Sequence, residues 1–154
     1  DMCEYISDSS IEILDKNNNY NLTYIDYLKD LSSYRCALSL PGGTEVCNRD
    51  IECFGIGVPV IRPFLNIQYP DPLIPNYHYI SCYHDCKYWD GNPNYISYKD
   101  FACYLENYWN RIKNNFEYLQ FIRTNARGWF LQNCVLDNNI GYVLSQIDLE
   151  VLND

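Results

Sequence analysis

Eight cysteines, at positions 3, 36, 47, 53, 82, 86, 103 and 134, run through almost the whole of this 154-residue chain. So high an even count in a short chain predicts disulfides and an oxidising compartment, because cytosolic thiols are kept reduced. Cys3, Cys36, Cys47, Cys53, Cys82, Cys86, Cys103 and Cys134 are therefore expected to staple the fold, with pairings that spacing alone does not choose. Buried free thiols or a metal cluster are the alternative. The chain opens on Asp1-Met2 without a charged-then-apolar leader, as expected of a secreted, extracellular protein whose signal peptide has been removed. Asn21-Leu22-Thr23 is a sequon compatible with export, which makes Asn21 a candidate for N-glycosylation.

The charge balance narrows the partners. Lys and Arg number 11 against 20 Asp and Glu, a net charge of -9, which argues against nucleic acid because phosphate binding depends on basic surface. No apolar run approaches the ~20 residues of a membrane span. With 47% hydrophobic and 20% charged residues the chain can bury a core. One compact domain over 1–154 is the primary expectation. The alternative is two helical units, 1–53 and 77–154, joined by 54–76.

Helical patterning predicts a mainly α fold, a disulfide-stapled helical bundle with a long Pro-rich crossover. Ser9-Ser10-Ile11-Glu12 and Thr23-Tyr24-Ile25-Asp26 have capping-box spacing and predict helices over 10–16 and 23–39, the second stopped by Pro41-Gly42-Gly43. Five of seven prolines fall between Pro59 and Pro75, which predicts an irregular crossover over about 54–76. Beyond it, Phe101, Leu105, Tyr108, Ile112, Phe116, Leu119 and Ile122 recur every three or four residues. They predict one helix of about 25 residues, with Phe116 in the core, Asn115 of little consequence and Gly128 near its end. Short helices are expected around Trp129–Val135 and Ile140–Val151. Tyr24-Ile25-Asp26-Tyr27-Leu28-Lys29-Asp30 is echoed by Tyr95-Ile96-Ser97-Tyr98-Lys99-Asp100, which raises duplication of a helical unit as an alternative.

The segment Cys82-Tyr83-His84-Asp85-Cys86 is the best candidate for chemistry. With His78 it holds four possible zinc ligands, but its single-residue gaps do not match the paired spacing of structural zinc sites. It is also similar to the His-Asp motif of secreted phospholipase A2 enzymes, with Cys53-Phe54-Gly55-Ile56-Gly57 similar to their calcium loop. That resemblance implies His84 as the base that deprotonates water and Asp85 as a calcium ligand. The motif's paired cysteine and a further loop glycine are missing here. The preferred reading places His84 and Asp85 on a helix surface, with Cys82 and Cys86 on one helical face, each bridged to a different distant cysteine. No catalytic residue, metal or cofactor is assigned on that reading. Arg111, Lys113, Arg123 and Arg127 form the main basic cluster and read as a solvated face.

Sixteen tyrosines complete the pattern. Tyrosine suits recognition surfaces, since a large apolar ring with a hydroxyl loses little entropy on binding, and it also fills small cores. Cys82-Tyr83-His84-Asp85-Cys86 and Cys103-Tyr104, in an acidic tyrosine-rich chain, resemble the bicycle proteins of aphids, named for paired Cys-Tyr-Cys motifs. The likeness covers mainly residues 77–109. It implies a salivary effector delivered into plants, and it supplies no catalytic residues. The expected function is a secreted, non-enzymatic effector that binds a host protein or other macromolecule. A calcium-dependent lipid hydrolase using His84 and Asp85, or a small-ligand carrier, is the alternative.

Overall fold

A computed structural model describes residues 22–40, 46–65, 69–82 and 98–135. Four helices and three very short strands follow in the order α1 (Tyr24–Ser33), β1 (Ala37–Leu38), α2 (Asn48–Ile56), β2 (Val60–Arg62), β3 (Ile80–Ser81), α3 (Tyr98–Ile112) and α4 (Phe116–Asn133). The fold is mainly helical, as expected. The sheet was not expected. Its order is β1-β2-β3, with both pairings parallel and Leu38 opposite Ile61 opposite Ile80.

Side chains alternate across the sheet and build a core on each face. Ala37, Val60 and Tyr79 face α1, α2 and the second half of α4, packing with Leu31, Cys53, Phe54, Ala126 and Trp129. Ile61, Ile80 and Cys82 face α3 and the first half of α4, packing with Ala102, Leu105, Leu119 and Ile122. A parallel sheet buried on both faces tolerates a run as apolar as the one from Val58 to Leu65. That run is strand flanked by prolines. Pro59 precedes β2 and offers its carbonyl to Ala37 N at 2.9 Å, and Pro63 follows it, so neither removes a ladder donor from within the strand.

Several helix boundaries differ from expectation for local reasons. The helix expected over 23–39 stops at Ser33, where the Ser32 and Ser33 hydroxyls donate to the carbonyls of Lys29 and Asp30 and Tyr34 turns extended. The segment from 54 to 76 holds the end of α2 and all of β2. Helix α2 ends on Gly57, in the left-handed region at φ 76°, where other residues are strained. The expected 25-residue helix is two helices. Asn115 breaks it by accepting from Tyr118 N with its side chain and so capping α4, which makes it consequential. Helix α4 then runs through Gly128 and absorbs the short helix expected around Trp129. Phe116, expected in the core, is 60% exposed beside that cap, whereas Ile122 is fully buried. Expected helices over 10–16 and 140–151 lie outside the described residues.

Tyrosines tie the elements together. Tyr24 and Tyr27 of α1 donate to the two carboxylate oxygens of Glu52 on α2, at 3.1 and 3.2 Å. Tyr79 is fully buried and its hydroxyl accepts from Leu65 N. Tyr118 of α4 donates to Asn76 Oδ1, which also accepts from Ser81 N. On α4, Trp129 stacks edge-on against Phe54 and Tyr69 and donates through Nε1 to the Asp71 carbonyl at 2.9 Å. The close approach of α2 to α4 needs Gly55, where a Cβ would stand 3.0 Å from the Phe130 ring.

No disulfide joins any two of the six cysteines in the described residues, so the stapling expected from their number is not seen there. Cys82 is not helical. Its N–H donates to the Arg62 carbonyl at 3.0 Å, continuing β3 in extended form, which removes the helical-face argument for Cys82 and Cys86.

Candidate functional site

The two ends of the sheet carry different chemistry. At the carboxyl end, Arg62 closes β2 and pairs across the strands with Ser81, while Ser39 follows β1 directly. All three share the face covered by α2. Asp50 reaches this row from the first turn of α2, meeting Arg62 Nη1 through Oδ2 at 2.5 Å and accepting from Cys47 N at 2.8 Å. Both charged side chains are almost completely buried. The Arg62 guanidinium also donates to the Pro63 carbonyl and lies 5.8 Å from the Tyr79 ring centroid. Ser39 Oγ, Asp50 Oδ1 and Ser81 Oγ are buried without a hydrogen-bond partner among the described residues. This row is polar, sealed and electrically balanced.

At the amino end lies an open groove of about 410 Å3, within the ~300–1,000 Å3 of ligand pockets. Ser32, Ser33, Tyr34 and Arg35 wall one side, Gly57-Val58-Pro59 the floor, and Phe116, Leu119, Gln120 and Arg123 the other side. The placement is set locally. Arg35 stands just before β1, the Gly57 turn leads into β2, and the Asn115 cap starts α4 beside them. The Arg35 guanidinium lies 5.2 Å from the Phe116 ring centroid, a cation–π arrangement at the rim. Arg123 lies over Gly57, where an added Cβ would stand 3.1 Å from its Nε.

The residues singled out by spacing and motif fall unevenly on this frame. His84, Asp85, Cys3, Cys86 and Asn21 lie outside the described residues. His78 is buried and its Nδ1 accepts from Ile74 N at 2.9 Å, so that nitrogen is already engaged. Burial lowers the His78 pKa, opposed by the Asp71 charge. Among the described residues no cluster of His, Cys, Asp and Glu has the makings of a metal site. Cys36 enters β1, Cys47 caps α2, Cys53 lies buried in α2, Cys82 follows β3, Cys103 is exposed on α3 and Cys134 caps the end of α4. Burial raises the Cys36 and Cys53 thiols well above their ordinary values, Cys53 to about 12, and the neighbouring charge of Asp50 adds to the second shift. Of the basic cluster, Arg123 reaches the groove, while Arg127 donates to the Gly55 carbonyl at 2.7 Å.

Motif and spacing do not point to Arg35, Asp50 or Arg62. Arg62 does carry a signal: it is the one charged residue inside the apolar run from Val58 to Leu65, and a charge there demands a buried partner. Comparison with family models, curated proteins and solved structures returned no match. No helix in the described residues is long and apolar enough to cross a membrane.

Proposed function

We propose that this chain is a secreted, non-enzymatic effector that acts by binding a host macromolecule, in the manner implied by its resemblance to the aphid bicycle proteins. The groove at the amino end of the sheet is the observation that carries the reading. It combines an exposed Phe116, a stacked Arg35 and a second arginine on a frame of strand ends and helix termini. Aromatic and arginine side chains dominate the energetics of protein interfaces. Disulfide stapling belongs to the same proposal. The even cysteine count supports it.

Affinity capture from plant tissue tests the binding reading, using wild-type protein and Phe116→Asp as parallel baits. A plant protein retained by the first and lost from the second is the expected result. Identical protein sets on both baits would overturn the reading. Non-reducing peptide mapping of protein secreted from eukaryotic cells tests the stapling, and recovery of all eight cysteines as thiols would refute it.

A further inference from the structure

Resting on that binding reading, we infer that the groove receives an acidic segment of the partner protein, with carboxylates held between Arg35 and Arg123 and an apolar side chain laid on Phe116. The charge distribution argues for this. The whole chain carries -9, yet among the described residues no aspartate or glutamate lines the groove and two arginines do. A basic groove on an acidic protein selects for carboxylate-rich segments and disfavours basic ones at the same time.

Among the described residues the two guanidinium groups are little used. Arg35 has five N–H donors and uses one at a long 3.5 Å, toward the Lys113 carbonyl. Arg123 makes no hydrogen bond within the described residues, and no described carboxylate pairs with either arginine. Two helices end beside the groove, and their C-terminal carbonyls would attract these cations. Several of those carbonyls are already engaged: Asp30 by the Ser33 hydroxyl, Leu31 by the Tyr34 N–H, Gly55 by Arg127, and Cys53 and Phe54 by the Gly57 N–H. The start of α4 contributes the positive end of its dipole at the same place. Two planar forks facing one concavity favour bidentate carboxylate contacts.

The probe is a short labelled peptide of alternating aspartate and leucine, followed by fluorescence anisotropy at low and high salt. A peptide of alternating lysine and leucine is the control. Replacing Arg35→Gln together with Arg123→Gln should weaken aspartate-peptide binding about tenfold or more, and salt should weaken the wild-type complex. Lys99→Gln with Arg111→Gln removes the same charge from exposed positions elsewhere and should change affinity less than about twofold. Thermal melts confirm that both double variants are folded. Equal weakening by the two pairs would overturn the inference, as would preference for the lysine peptide or no binding of the aspartate peptide. If a captured plant protein is lost with Phe116→Asp but kept by the Arg35→Gln, Arg123→Gln variant, the acidic-segment inference fails and the binding reading stands. If no captured protein depends on Phe116, the binding reading itself fails.

Discussion

The carboxyl end of the sheet holds an arginine that the fold has enclosed, and the amino end holds two that it has left open. Parallel α/β sheets usually place ligands at the carboxyl ends of their strands. Here that end is filled by the protein itself, with Asp50 against Arg62 and two serine hydroxyls beside them. The room for a ligand lies at the opposite end, between Arg35, Phe116 and Arg123. The same residue type therefore performs two tasks. Where a carboxylate is supplied by α2, arginine joins a helix to a strand. Where none is supplied, its charge faces outward.

The largest expected effect tests whether the carboxyl end is sealed by its ion pair. Asp50→Ala leaves the Arg62 guanidinium buried without that carboxylate and should destabilise the fold by about 3–5 kcal/mol in urea titration. Asp50→Leu combined with Arg62→Met should recover most of the loss, since apolar replacement of a whole buried pair is often neutral. A loss below about 1 kcal/mol for Asp50→Ala would erase the contrast between the ends, because exposed Arg35→Ala and Arg123→Ala should each stay within about 0.5 kcal/mol.

Next comes α4, which serves both ends. Ile122→Ala removes a fully buried side chain and should cost about 2–5 kcal/mol, whereas Phe116→Ala should stay within about 0.5 kcal/mol. Equal shifts in thermal melts would mean that Phe116 packs into the core and that the groove lacks its aromatic rim. Asn115→Ala, through the lost cap, should cost about 1 kcal/mol, and Asn115→Ser should restore most of it.

The smallest effect is a pH dependence near the amino end. His78 has a folded pKa lowered below its ordinary 6.5, chiefly by burial, so the folded state binds fewer protons than the unfolded state below that pH. Its contribution is present above 6.5 and is lost as pH falls through the depressed folded value. His78→Asn keeps an acceptor toward Ile74 N without the titration, and should flatten the stability profile just below pH 6.5. An unchanged profile would remove His78 from the acid sensitivity of this end.

The helical class was legible because amphipathic stripes and caps are local. Thr23 does cap α1 by accepting from Asp26 N, and Leu105, Leu119 and Ile122 are buried as their spacing demands. The sheet was not legible. Strands of two or three residues leave too little alternation to read, and proline at 59 and 63 argued for irregular chain when it marked the ends of β2. The break between α3 and α4 was hidden because Ile112 and Phe116 keep helical spacing across it, while the capping role of Asn115 shows only once the chain turns there. The groove was illegible for another reason. Arg35 and Arg123 are far apart in sequence, and only the close approach of α4 to the Gly57 turn puts them on one concavity.

The parallel sheet has a consequence for how the chain finds its structure. A hairpin can zip from its turn, but each strand here meets residues roughly twenty positions away, so no strand pair can form before a loop of that length has closed. The link between β1 and β2 contains α2, whose own first turn supplies the Asp50 that meets Arg62. The charge pair at the strand ends thereby acts as a check on register: slipping β2 by one residue would turn Arg62 to the opposite, apolar face, away from Asp50.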